Sequence, residues 1–581
     1  MLARPRLVAC ALIVLGALVS CWFAGYRLGG NDEGALLTAA AKILRGGVFY
    51  RDIDAYPFPG AHYLLALAMG IFGEHLAVSR ALAGVVYCGV LVALYAVALQ
   101  LVDRRRAALF GLSLLGFKFL AWPAFTCFFY WDLAFLAACA ATALFTHEPV
   151  RPGRTRLLAV GACVGIAFLS KQSLGIYLAT LIATALMLPE ALFAAPREGF
   201  GRRAARLASL SAGFLIPVAP LLAYFAYQGV LVQMFESGLI RPFTAYLSTS
   251  GISFSTPLRW WEFGSLQGPA GFSYFPESYF SMLRREVLPG EQAYPLYWTL
   301  GELFVRLVYL SVPLAFAGAL ALCLRAVRRG RHFAERRLIV FAGLACGVVL
   351  SAFPRSDFAH VIGVYPLVLL LLFAVAGRLW RDAGNGRAPT ALLRLEAVLV
   401  CTWLAVLGGL SLINHASLTT RVDLHRAELW EAPENAFLES VVRFVREEVE
   451  PGGGLFVYGH EAYYYFLADR FFDWPFSQLY PGQAGGDAGE ALVARLERDP
   501  PQLVIRGFVR FPGVPGLPDQ LPVLQAFLEN HFEVDERVFL RHPPTSGILP
   551  RHHRLEVLRP RSSASARERP SGSATPGSRA P

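Results

Sequence analysis

The chain has 581 residues, of which 55% are hydrophobic and only 16% charged, with a mean hydropathy of +0.47. Soluble domains carry about 25% charge, so the deficit excludes an ordinary soluble protein and points to a multi-pass α-helical membrane protein. The net charge of +11 does not mark a nucleic-acid partner, because most Arg residues sit in short clusters between apolar runs, where orientation signals belong.

Runs of about 20 apolar residues can cross a ~30 Å hydrocarbon core. In chain order they fall at 7–27, 77–101, 107–124, 131–146, 157–170, 172–193, 207–227, 301–324, 338–353, 360–377 and 393–414, about 11 spans. The first could be mistaken for a cleaved leader, since "LVSC" (Leu18–Cys21) looks like a lipoprotein cleavage box. The apolar stretch continues through Trp22 and Phe23, and the expectation is an uncleaved helix. Nine cysteines lie in or beside the apolar runs with no CxxC pair, which reads as small core residues and not as a zinc site or disulfide framework.

Loop charge sets the expected orientation. The segments Ala3–Arg6, Asp103–Arg106, Val150–Arg156, Arg197–Arg206, Arg325–Arg337 and Arg378–Arg394 contain 22 Arg, whereas the opening loop 27–76 and the segment 228–300 contain four Lys or Arg each. The basic segments are therefore expected in the cytoplasm, with the N-terminus, and the C-terminus outside the membrane. The apolar stretch Gly60–Gly73 is only 14 residues long. A crossing there would turn Arg104–Arg106 outward, so it reads as an interfacial or re-entrant helix. Residues 1–414 form the membrane part, with outer loops at 28–76 and 228–300. Beyond it, "GGLFVYG" and "PQLVIRGF" read as buried strands and "ENAFLESVVRFVREEV" as a helix, giving a small extracytoplasmic α/β domain over 415–560. Residues 561–581 are Ser-, Pro- and Arg-rich and read as a disordered tail.

This topology collects polar residues on one face. Asp32 and Glu33 follow the first span, Asp132 opens the fourth, Lys171 lies between the fifth and sixth, and Arg355, Asp357 and His360 lie between the ninth and tenth. Ionisable groups near membrane depth are costly and call for a reason. Each also has a structural reading: Asp132 as a helix cap, Lys171 snorkelling to the interface, Arg355 and Asp357 as a turn pair, and Glu33 as a solvated neighbour of Asp32. Together they suit one chemistry. A carboxylate can be general base toward an acceptor hydroxyl or amine, a second can help hold a divalent cation, and Lys171, Arg355 and His360 can receive a departing phosphate.

The stretch "NDEGALLTAAAKILRGGVFYRDIDAYPFPGAHYLLALAMGIFGEHLAVSRAL", with "WDLAFLAA" and "GIAFLSKQ", resembles the GT-C superfamily of membrane glycosyltransferases, in its bacterial protein-mannosyltransferase-like and aminoarabinose-transferase-like branch. The resemblance covers roughly the first 190 residues. It implies transfer of a sugar from a polyprenyl-phosphate carrier to a lipid, glycan or protein acceptor outside the membrane. It also implies Asp32 as the catalytic acidic residue, with Glu33 beside it, Asp132 at a metal or the donor phosphate, and Lys171 at the end of helix five. Where the aminoarabinose branch has a Glu-Lys pair before the proline turn, this chain has Tyr56-Pro57-Phe58. Asp52 and Asp54 are the candidate substitutes. The amphipathic stretch after Asp32, with Leu36, Leu37, Ala40, Ile43 and Leu44 on one side and Lys42 and Arg45 on the other, is expected to lie in the interface and cover the lipid carrier's access point.

Two other function classes compete. A transporter or flippase of lipid-linked glycans should show internal repeats and broken midplane helices, and none is evident. A non-catalytic glycan-binding subunit would tolerate loss of the Asp32 carboxylate, which an enzyme would not.

Overall fold

The computed structural model describes residues 5–29, 31–120, 126–149, 152–187, 199–244, 251–266, 273–275, 293–329, 332–382, 388–433, 437–459, 461–477, 479, 487–507, 521–536, 540–541 and 554–561. All eleven expected runs fall on helices. These are α1 (Pro5–Ala24), α4 (Leu76–Leu101), α5 (Arg104–Leu120), α6 (Tyr130–His147), α7 (Arg154–Ser170), α8 (Gln172–Met187), α9 (Phe200–Tyr227), α11 (Ala293–Arg328), α12 (His332–Leu350), α13 (Phe358–Asp382) and α14 (Ala388–Ala416). Among the described residues six helices (α1, α4, α9, α11, α13 and α14) are long and apolar enough, by length and composition, to cross a membrane. Leu18, Val85, Ile216, Leu320 and Val398 on their outer sides are exposed, as lipid-facing residues must be. Cys10, Cys21 and Cys401 are exposed too, which corrects their reading as buried core; all nine cysteines are free.

Close helix contact rests on small residues. A Cβ on Gly161 of α7 would lie 2.1 Å from the carbonyl oxygen of Leu210 on α9, and one on Gly213 of α9 would lie 2.1 Å from that of Leu158. Backbone meets backbone there, the arrangement that replaces hydrophobic driving force inside lipid.

Two further helices, α2 (Asn31–Leu44) and α3 (Gly60–Phe72), occupy the first loop. The helix α3 is too short to span, as expected. The helix α2 corrects the amphipathic expectation. Of its apolar face Leu36, Leu37 and Ala40 are buried, Ile43 is half-buried and Leu44 is exposed, because α3 and the carboxy-terminal region cover most of the side that was to face lipid.

That region contains the antiparallel pair β1 (Thr420–Leu424) and β2 (Ala427–Glu431). It also contains a sheet in which β3 (Leu455–Tyr458) runs parallel to β4 (Leu503–Arg506) and β7 (Arg554–Pro560) runs antiparallel to β4 and to β5 (Phe532–Val534). The helix Phe437–Glu448 buries Leu438, Val441, Val442 and Val445, the i, i+3, i+4, i+7 stripe that its sequence displays. The short helix Tyr463–Ala468 is buried throughout and packs on α2. The contact is a backbone approach, since a Cβ on Gly34 would lie 2.3 Å from the Tyr463 amide nitrogen. Thr38 Oγ1 adds a hydrogen bond of 3.0 Å to the Ala462 carbonyl. Replacing Gly34 by Ala forces this interface apart, and overpacking of this kind costs about 1–3 kcal/mol. The expected outcome is a lowered melting temperature and faster proteolysis between α14 and β3, measured on purified protein. The expected disordered tail falls outside the described residues, apart from Arg561.

Candidate active site

The site lies at the end of the bundle where α1, α7 and α12 finish and α6 and α13 begin. Asp32 stands in the first turn of α2, where helix N-termini favour a carboxylate. Solvent reaches its side chain, yet dense protein surrounds the rest, and that burial raises its carboxyl above the ordinary range. Arg355 and His360 pull it back down, and Asp357 pushes it up. These influences place Asp32 beside the Arg355–His360 loop, from which it is separated by more than 300 residues of sequence.

Within that loop Asp357 is the organiser. Its Oδ2 accepts from Arg355 Nε at 2.6 Å, and its Oδ1 meets His360 Nδ1 at 2.6 Å and accepts from the His360 amide at 2.9 Å. Despite burial, the His360 and Arg355 charges and these hydrogen bonds hold its carboxyl well below the usual range, so it stays ionised and fixes both neighbours. Lys171 lies between α7 and α8 with its Nζ 4.0 Å from the centre of the Trp131 ring, a cation–π contact. Burial pushes its pKa down to about 7, while Asp357 opposes the shift. Three of the four expected clusters therefore meet, and Trp131 brings the fourth, Asp132, alongside.

Asp132 itself is occupied. Its Oδ2 accepts from the Phe129 amide at 2.8 Å, closing the first turn of α6. Among the described residues no group of three or more His, Cys, Asp and Glu side chains lies together as metal ligands. The donor set does not fit a metal, and the metal role expected of Asp132 is left without co-ligands. Asp52 folds back onto the Val48 amide at 2.7 Å and pairs with Arg51. Asp54 is buried against Arg241.

Glu33 is a correction. It is fully buried, not solvated. Its two oxygens receive Arg80 Nε and Nη2 at 3.2 and 3.1 Å, and Oε2 also accepts from the Gly29 amide at 2.7 Å. Arg80, on α4, donates further to the carbonyls of Ala24, Tyr26 and Arg27 at 2.8, 3.0 and 2.6 Å. Residues 24–29 are thus clamped from inside the bundle.

A second clamp of the same design was not anticipated. Arg306 and Glu302 of α11 are completely buried and paired at 2.7 Å. Arg306 donates to the carbonyls of Pro257, Arg259 and Glu262 at 3.0, 2.7 and 2.8 Å and to Ser265 Oγ. Glu302 accepts from the Gly264 amide at 2.9 Å. This pair holds the aromatic loop 256–265 against the site. The loop also meets the Arg355 turn, through Ile252 N–H to Pro354 O at 3.1 Å and Ser356 N–H to Ile252 O at 3.0 Å. A signal for it existed: Glu302 and Arg306 are spaced i, i+4 inside an apolar run, where charges are rare.

Comparison with known proteins bears on this geometry. Residues 56–224 match the family described as dolichyl-phosphate-mannose-protein mannosyltransferase. Among solved structures, ArnT from Cupriavidus metallidurans bound to undecaprenyl phosphate has a TM-score of 0.53 at 14% identity, covering 96% of this chain and 98% of that one. Its apo state gives 0.53 at 13%, covering 95% and 97%. Residues 56–224 are thus similar to that mannosyltransferase family, and the chain as a whole shares the fold of ArnT. The archaeal oligosaccharyltransferase AglB from Archaeoglobus fulgidus, in complex with an inhibitory peptide and a dolichol-phosphate, gives 0.47 at 13%, covering 86% and 69%. Curated proteins give no match. The matched residues include Asp132 and Lys171, while Asp32, Arg355 and His360 lie outside them.

Lys171 gives a pH prediction. A lysine titrating at about 7 is cationic below that value and neutral above it. Affinity for a lipid phosphate should therefore fall as pH rises through about 7 toward 9, and Lys171→Gln should flatten that dependence. Binding of undecaprenyl phosphate to the purified protein across that range checks both outcomes.

Proposed function

We propose that the chain is a glycosyltransferase that moves a sugar from a polyprenyl-phosphate donor to a lipid, glycan or protein acceptor at the outer face of a bacterial inner membrane. The observation that carries this reading is the exposed carboxylate of Asp32 facing a loop that presents the Arg355 guanidinium and the His360 imidazole, both fixed by one ionised Asp357. The raised carboxyl of Asp32 makes it a better proton acceptor than a surface aspartate. Asp32 takes the proton from the acceptor hydroxyl or amine as its oxygen or nitrogen attacks the anomeric carbon. The bond from that carbon to the phosphate oxygen breaks, and the configuration inverts. The polyprenyl phosphate leaves with the bonding electrons, and Lys171, Arg355 and His360 take up its charge. Glu33, paired with Arg80, orients the helix and transfers no proton.

The ArnT structure with undecaprenyl phosphate supports a carrier of that class in this fold. The eleven helices would all cross, with the basic loops inside; 415–560 would then be an outer domain. A cation role for Asp132 finds no support in its surroundings.

The test is chemical. Surface lipids and glycans of a deletion strain, compared by mass spectrometry with those of the complemented strain, should lack one sugar modification and accumulate its intact lipid-linked donor. A flippase would instead strand the donor on the inner leaflet without its ever being cleaved. Undiminished sugar transfer in the deletion strain would overturn the proposal.

A further inference from the structure

The segment that links α1 to the Asp32 helix is held from two sides, and only one of them belongs to the membrane bundle. From the bundle, Arg80 binds the carbonyls of Ala24, Tyr26 and Arg27. From the carboxy-terminal region, β2 binds what Arg80 leaves. The Trp430 amide donates to the Gly25 carbonyl at 2.7 Å, and the Trp430 carbonyl accepts from the Arg27 amide at 2.9 Å. Tyr26 and Trp430 form a parallel bridge. At the next rung the Glu431 carboxylate accepts from the Leu28 amide at 2.7 Å, taking the part a main-chain carbonyl would play in a longer strand. The next amide, Gly29, goes to Glu33.

Gly25–Leu28 is therefore tied to the edge of the β1–β2 pair by one isolated bridge and by the Glu431 side chain. Arg27 adopts a left-handed φ of 51° within this segment, a conformation costly for a side-chain-bearing residue and kept only where its surroundings fix it. Glu431 is buried, so its carboxylate is removed from water at a cost that the Leu28 amide and the nearby Arg80 charge offset. Only three residues lie between Leu28 and Asp32, and any slack in the linker passes directly to the first turn of α2.

We propose that Glu431 is a positioning residue for Asp32: it fastens the linker before α2 and so sets where the Asp32 carboxylate stands, touching no substrate itself. This rests on the reading of Asp32 as the reacting carboxylate. Misplacement of a reacting group by about 1 Å can cost up to about a hundredfold in rate. A linker loosened at one rung is expected to cost about tenfold.

The test uses full-length protein. In Glu431→Ala, amide hydrogen exchange over residues 25–29 should rise at least about tenfold, with protection of β3 and β4 unchanged. Glu431→Gln retains an acceptor oxygen and should restore both protection and transfer. Transfer by Glu431→Ala, read from the product of the complemented strain, should fall about tenfold while the affinity of purified protein for undecaprenyl phosphate stays the same. Unchanged exchange at 25–29 in Glu431→Ala, with Asp32→Asn inactive, overturns the positioning role alone. So does a rise shared equally by β3 and β4, or a loss of transfer that follows a loss of undecaprenyl phosphate binding. Full transfer by Asp32→Asn overturns the enzyme reading instead, whatever the linker does.

Discussion

Asp32→Asn is expected to fold, to bind undecaprenyl phosphate as the wild type does, and to transfer sugar about a hundred- to ten-thousandfold more slowly. The substitution keeps the size of the side chain and removes its basicity. Asp32 is exposed and forms no buried ion pair among the described residues, so no buried partner is stranded by the change. The Arg355, Asp357 and His360 array is complete without it. The pH dependence of transfer follows from its environment. Burial raises the Asp32 carboxyl, so the basic form is lost on acidification at a higher pH than for an ordinary aspartate. Activity should fall as pH drops through that raised value. Product quantified by mass spectrometry after matched expression checks the magnitude, and full activity would remove Asp32 from the chemistry.

Arg80→Met is the most damaging structural substitution expected. Arg80 and Glu33 have side chains 0% and 1% exposed. Removing the guanidinium leaves a buried carboxylate uncompensated and strips three main-chain carbonyls of their donor. Breaking one side of a buried pair costs about 3–5 kcal/mol, a large share of the stability of a typical domain. The variant should lose a corresponding part of its thermal stability in detergent. The double variant Glu33→Gln with Arg80→Met should recover part of the loss, since no buried charge then remains. Equal melting temperatures for wild type and Arg80→Met would show that the clamp is dispensable.

Much of this architecture was legible because membrane helices are written in long apolar runs. Each of the eleven runs lies on a helix among the described residues, and loop parity alone puts Asp32, Lys171 and the Arg355 turn at one end. The strands at 455–458 and 503–506 were legible for the same reason: short β-rich runs between turn residues. What stayed hidden depended on partners far away in the chain. Glu33 reads as solvated when only its neighbours are visible, because Arg80 lies 47 residues on. The helix after Asp32 reads as amphipathic because nothing local announces that Tyr463–Ala468 will cover it. Glu431 carries no signal at all in "AELWE", since its role depends on main-chain groups of residues 25–28. Arg80 and the Glu302–Arg306 pair could have been singled out, as full charges inside apolar runs.

The Arg306–Glu302 clamp grips the aromatic loop almost wholly through its main chain: three carbonyls and one amide, with a single hydroxyl from Ser265. A loop held by its backbone keeps its path whatever side chains it displays. Trp261, 80% exposed, can thus be exchanged without rebuilding the anchor, whereas the Trp260 and Phe263 rings lie against Arg306. Related chains are expected to preserve the Glu–Arg pair while their loop residues drift, so that new acceptors are reached by redecorating a fixed ledge, and grafting one loop's sequence onto another chain's anchor becomes a practical route to altered specificity.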